Sequence, residues 1–263
     1  MILLLLIMSI KSISNPNSAV VPLNIYQTHK SLDYIKNNSK INNAIESWKK
    51  VAEYNKWQHH FFDNSMCDAF IKNNMPDQVQ RAYFSLPLPV MRADLWRYCI
   101  IWKYGGIYAD ADTEFIAPHH FLPNIFPFHL HNRIMTQLYT VPENSTHLCQ
   151  WVFAAPQQSP LLWKIIQLSV RRILNEQMVG EHFIHYFTGP GVFTDAILNS
   201  IQVPSTIDKN MLATKHVFET TPLCVVPAYP FHSKFVKHYF TGDSPNGWFK
   251  DRERYLRHKK IIN

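Results

Sequence analysis

The stretch Arg92-Ala93-Asp94-Leu95-Trp96-Arg97-Tyr98, continued through Tyr104-Gly105-Gly106-Ile107-Tyr108-Ala109-Asp110-Ala111-Asp112-Thr113, decides the fold. It reads as a buried helix, a glycine turn and a short strand that delivers two carboxylates. The spacing predicts a helix from Pro87 to Tyr104, with proline at its start and Gly105-Gly106 as its stop. At about 100° per residue, Met91, Leu95, Tyr98, Cys99 and Trp102 share one face. Trp96 and Ile100 cover another, so the helix is apolar on most sides and should be deeply packed. Asp94 and Arg97 stand one turn apart in the stripe of Val90 and Ile101. A buried carboxylate and guanidinium need partners. Two readings stay open for them, a structural ion pair and a ligand clamp.

The glycines permit a tight turn into a strand over Ile107 to Asp110. In an extended chain, side chains alternate, which sends Asp110 and Asp112 to one side and Ile107 and Ala109 to the other. Two adjacent carboxylates repel unless a cation lies between them or one is protonated. Oxygen ligands suit Mg²⁺ or Mn²⁺, which can bridge a diphosphate and neutralise charge on a leaving phosphate. An isolated Asp-x-Asp is also a common solvated turn. A strand-Asp-x-Asp-x-Thr phosphatase start is disfavoured, because Thr113 follows Asp112 one residue too soon.

Outward from this block, Val20 to Tyr26 reads as a first strand, residues 40 to 57 as a helix, His60-Phe61-Phe62 as a short strand and 66 to 74 as another helix. This alternation, with only seven glycines, argues for an α/β layout. The 263 residues suffice for one sizeable domain, and 46% apolar with 17% charged residues excludes a disordered chain. The net charge of +7 admits phosphorylated ligands, anionic membranes or nucleic acid. Basic residues are scattered except after Lys250, where acids interrupt them, and no nucleic-acid motif is present. Cys67, Cys99, Cys149 and Cys224 lack zinc spacing; Cys99 and Cys224 read as core, and a Cys67–Cys149 disulfide is open. The apolar run Met1 to Ile10 is too short to span a bilayer as a helix. With acceptor triplets at Asn37 and Asn144, it points to a secretory or Golgi-type, membrane-associated location, with the cytoplasm as the alternative.

The central block resembles the signature of glycosyltransferase family 32, the sugar transferases with a DXD motif. That family takes in yeast-type initiating α-1,6-mannosyltransferases, inositol phosphoceramide mannosyltransferases and α-1,4-galactosyltransferases. Val21-Pro22-Leu23-Asn24-Ile25-Tyr26-Gln27-Thr28-His29-Lys30 is similar to the family's opening strand, with Tyr26 for the usual His and His29 for the usual Trp. Phe187-Thr188-Gly189-Pro190 is similar to its Thr-Gly-Pro segment, Val225 to Phe231 to its late strand, and His238 through Gly247-Trp248 to its closing element.

The resemblance implies a GT-A fold with the nucleotide at the carboxyl ends of the strands. It divides the chain into a targeting segment and linker (1–19), a glycosyltransferase domain (20–250) and a basic tail (251–263). It implies retaining transfer of a hexose from GDP-mannose or a UDP-hexose to a glycan, lipid or protein acceptor. Asp110 and Asp112 would be catalytic and, with His238, hold Mn²⁺ or Mg²⁺. Gln27, Thr28, Asp94, Arg97, Gly105, Gly106 and Trp248 would meet the donor. No residue is singled out as a nucleophile, and Glu114 is equally a solvated strand-end acid. Two alternatives remain, a sugar-nucleotide-binding protein without transfer and a basic polyanion binder.

Overall fold

In the computed structural model, residues 21–122, 138–144, 146–201, 216–217, 223–225, 231–239 and 248–262 are described. The apolar segment at 1–19, residues 226–230, Asn246-Gly247 and the side chains of Cys224 and Trp248 lie outside them. The elements in chain order are β1 (Asn24–Thr28), α1 (Leu32–Lys36), α2 (Ser39–Tyr54), β2 (Gln58–Phe62), α3 (Asn64–Asn74), α4 (Asp77–Ser85) and α5 (Pro89–Tyr104). Then come β3 (Gly106–Ala109), β4 (Thr113–Phe115), β5 (Leu138–Thr140), β6 (Val152–Ala155), α6 (Pro160–Asn175), α7 (Phe183–Phe187) and α8 (Pro190–Ile201). The last are β7 (His216–Val217), β8 (Leu223–Val225), β9 (Val236–His238) and α9 (Trp248–Ile262).

Seven strands form one sheet in the order β2-β1-β3-β6-β5-β8-β7, and β4 pairs with β9 in a second. In the large sheet only β6 and β7 run against the others. Side-chain alternation divides the core. Tyr26, Tyr108 and Phe153 point into the cluster under α3 to α8. Ile25, Ile107, Ala109, Val152 and Ala154 point into the one holding Trp48 and Val51 of α2. Both faces are therefore covered, and the architecture is the α/β layout that the sequence predicts.

The central helix is as buried as its sequence demands: Met91, Leu95, Trp96, Tyr98, Cys99, Ile100 and Ile101 are each 0% exposed. It starts two residues later than Pro87. The ring of Pro89 forces Leu88 into extended geometry (φ −119°, ψ 137°), so Pro89 takes the first helical position. The first strand likewise starts late, because the Asn24 N–H turns back to the Pro22 carbonyl at 2.8 Å. Cys67 and Cys149 are free thiols buried in different clusters, so no disulfide joins them.

The C-terminal segment is helical, and Tyr255 and Leu256 pack against the core. Among the described residues no helix is long and apolar enough to cross a membrane.

Candidate active site

Two glycines seat the site. Gly105 ends α5 at φ +67°, and Gly106 is next at φ +118°. A Cβ on Gly106 would lie 2.6 Å from the Asn24 carbonyl oxygen, and one on Gly105 would lie 2.5 Å from Pro22 Cδ. The bare backbone thus lets β3 lie against β1, with Ile25 beside Ile107 and Tyr26 beside Tyr108. Gly105 and Gly106 are buried, and their role is to set the path of β3 and the aspartate turn beyond it. Gly106→Ala is expected to destabilise the fold by about 1–3 kcal/mol, through strain at a conformation that L residues avoid. A urea melt checks this, and an unchanged midpoint would remove the close approach as the reason for glycine.

Strand β3 stops at Ala109, and here the extended-chain expectation fails. Asp110 to Thr113 is a turn: the Thr113 N–H and hydroxyl both donate to the Asp110 carbonyl, at 3.0 and 2.6 Å. The Gln27 amide donates to the same carbonyl at 3.2 Å, and the Asp110 N–H donates to the Trp151 carbonyl at 2.7 Å. From α2, the Trp48 indole N–H donates to the Thr113 carbonyl at 3.0 Å. The turn, not strand alternation, brings the two aspartates together.

His238 completes the group from β9. The β4–β9 register places His238 opposite Thr113, and the Tyr239 N–H donates to the Asp112 carbonyl at 3.0 Å. His238 Nε2 lies 3.2 Å from Asp112 Oδ1, and one ligand atom from each of Asp110, Asp112 and His238 falls within 4.8 Å of the others. Neighbouring ligands of an octahedral Mg²⁺ with bonds of about 2.0–2.1 Å stand roughly 3 Å apart, as Asp112 and His238 do, and the three residues together could hold a divalent ion. Asp110 Oδ1 is taken by Arg97 at 3.2 Å and by the Tyr108 hydroxyl at 2.5 Å, which leaves Oδ2 for an ion. Burial pushes the Asp110 carboxyl above its usual range; Arg97 opposes this and Asp112 adds to it.

Asp94 and Arg97 lie beneath the turn, 2% and 4% exposed. Arg97 Nη2 reaches Asp94 Oδ1 at 2.8 Å and Asp110 Oδ1 at 3.2 Å, and Nη1 donates to the Gln150 carbonyl at 3.3 Å. The guanidinium also lies over the Tyr108 ring, 4.7 Å from its centre. Asp94 accepts from the Gln150 amide at 3.1 Å and the Thr188 hydroxyl at 3.0 Å. Burial raises the Asp94 pKa against the pull of Arg97, Thr188 and Gln150. Burial alone would lower that of Arg97, but Asp110, Tyr108 and Asp94 reverse the balance and hold it above its ordinary value. At these distances Asp94 and Arg97 form an ion pair, and it extends to Asp110.

Gln27 is 0% exposed and its amide is shared between the Asp110 carbonyl and His59, 2.8 Å away, so it supports the turn from below. Thr28 ends β1 and donates to the Phe62 carbonyl at 2.8 Å. It also lines a cavity of about 260 Å³ with Tyr83, Pro87, Pro89, Arg92 and Ala93, the last next to Asp94. Glu114 accepts from the Tyr239 phenol. The sequence did not single out Gln150 or Glu143, and neither carries a local signal. Thr188 did have one, the Thr-Gly-Pro segment just after α7.

Residues 37–129 match the family described as "Glycosyltransferase sugar-binding region containing DXD motif". The chain is 28% identical over 210 residues to the initiation-specific alpha-1,6-mannosyltransferase of Schizosaccharomyces pombe, covering 70% of this chain and 50% of that protein. It is 25% identical over 222 residues to the protein of the same name from Candida albicans, covering 72% and 56%. The chain thus spans about half the length of the curated relatives it matches. Among solved structures, it is similar to the PaToxG glycosyltransferase, with a TM-score of 0.47 and 15% identity over 70% of this chain and 71% of the other.

Proposed function

We propose that this chain, whose residues 37–129 match the DXD-motif glycosyltransferase family, transfers mannose from a nucleotide-diphosphate sugar, GDP-mannose before UDP-hexoses, to a glycan or glycolipid acceptor. The convergence of Asp110, Asp112 and His238 within 4.8 Å carries this reading. Those three residues would hold Mn²⁺ or Mg²⁺, and a bound ion supplies charge neutralisation at a leaving diphosphate. Arg97 fixes the Asp110 carboxylate, and Gln27, Thr113 and Trp48 fix the turn that presents it.

The donor's base enters the cavity beside Thr28 and Ala93, which is small enough for a base rather than a whole nucleotide sugar. Thr28 and Asp110 both stand at the carboxyl ends of parallel neighbours, where α/β sheets bind nucleotides. A retaining course is part of the proposal, and the stereochemistry of the product tests it.

The test is turnover of GDP-mannose, UDP-galactose and UDP-glucose with Mn²⁺ and an α-linked mannose oligosaccharide, read by mass spectrometry. A mass increase of one hexose, greatest with GDP-mannose, is the expected result. Binding of donor without transfer or hydrolysis favours the non-catalytic reading, and steeply salt-dependent binding to a polyanion with no donor affinity favours the polyanion binder. Exhaustive chelation is expected to abolish transfer, and Mn²⁺ or Mg²⁺ to restore it. Full activity in the chelated protein would dismiss the metal.

A further inference from the structure

The loop after β5 carries a carboxylate that the fold does not use. The Glu143 N–H donates to the His147 carbonyl at 2.9 Å, closing the loop on itself. The preceding carbonyl, Pro142, lies 2.8 Å from His232 Nε2. The His232 ring packs against Trp151 at 5.2 Å, and Trp151 packs against His238 at 4.5 Å. This chain of contacts ties the base of the loop to the wall of the aspartate–histidine group.

Glu143 Oε2 is buried and has no hydrogen-bond partner, alone among the carboxylate oxygens of the described residues. The charges that act on it are those of the site: His238, Asp110, Arg97 and Asp94. Burial pushes its carboxyl up to about 7. A buried acceptor without a donor is a cost that folding alone does not explain. Asn144 and Thr146, at the loop tip beside it, are exposed, whereas Asp94 and Arg97 are sealed beneath the turn. Glu143 thus feels the charges of the aspartate–histidine group from a loop whose base is tied to that group through His232 and Trp151 and whose tip, Asn144 and Thr146, is open to solvent.

We propose that Glu143 is the acceptor-binding carboxylate: its free oxygen accepts a hydrogen bond from the acceptor hydroxyl and aims that oxygen at the donor sugar. This rests on the glycosyl-transfer reading above. It requires no proton transfer to Glu143, only a donor hydrogen that the protein itself does not supply.

Glu143→Gln and Glu143→Asp test it in the full chain, with GDP-mannose, Mn²⁺ and the mannose oligosaccharide. The measurements are acceptor kcat/KM, affinity for GDP with Mn²⁺ by calorimetry, and thermal midpoint. Glu143→Gln is expected to lower acceptor kcat/KM about a hundredfold while GDP affinity holds and the midpoint stays or rises. Glu143→Asp, which keeps the charge, should recover part of the loss. Unchanged acceptor kcat/KM in Glu143→Gln overturns the proposal, as does a loss that runs parallel to falling GDP affinity and midpoint. A wild-type chain that transfers nothing from any donor overturns the underlying reading and this inference with it. Loss confined to the variants separates the two.

Discussion

Asp112→Asn is expected to abolish sugar transfer and leave the fold intact. The carboxylate is half-buried, 3.2 Å from His238 Nε2 and part of a three-residue group that fits a divalent cation. The amide keeps the volume and removes the charge, so an ion loses one of its anionic ligands. Charge stabilisation by such an ion is worth several kcal/mol at the transition state, and each 1.36 kcal/mol is tenfold in rate, so turnover should fall at least about a hundredfold. The backbone of the turn is held by Thr113, Gln27 and Tyr239, none of which uses the Asp112 carboxylate, so the thermal midpoint should barely move. Turnover and circular dichroism on the same re-metallated sample check both halves. Near-wild-type turnover would falsify the metal role.

The second large effect concerns Arg97. Its guanidinium spans two carboxylates and a carbonyl, Asp94 at 2.8 Å, Asp110 at 3.2 Å and Gln150 at 3.3 Å, from a buried position. An ammonium is a point donor and cannot span them as a planar fork does. Arg97→Lys should therefore fold, keep the contact to Asp94 and release Asp110, so that turnover and donor affinity fall more than stability. Arg97→Met leaves two buried carboxylates uncompensated and should cost about 3–5 kcal/mol of stability. Donor calorimetry beside urea melts separates the effects. If Arg97→Lys lowers only the melt midpoint and leaves donor affinity and turnover unchanged, the residue is scaffolding alone. A double role is the expected outcome, because the same Nη2 that closes the ion pair also contacts Asp110.

Much of this architecture comes from local chemistry. The apolar circumference of residues 89–104 could only be satisfied in the middle of a domain, and the glycine pair after it could only be a turn. Asp110 and Asp112 were identifiable from their chemistry, since two carboxylates two residues apart after a strand ask for a cation. Asp94 and Arg97 could be paired by helical spacing, but whether they served the fold or the site was not local information.

Tertiary structure decided the rest. His238 reaches the aspartates because β9 pairs with β4, a contact between segments more than a hundred residues apart that no period in either segment specifies. Gln150 and Thr188 complete the shell of Asp94 from two different segments, and Glu143 meets the same charges from the β5–β6 connection that also carries Gln150. The aspartates themselves converge through a turn closed by Thr113 and Gln27, not by the alternation of an extended chain. The physical reason is the same in each case. Helix faces and glycine turns are set by sterics within a few residues. A buried charge is satisfied by whatever polar group the packed sheet brings within about 3 Å, and that is a property of the whole chain.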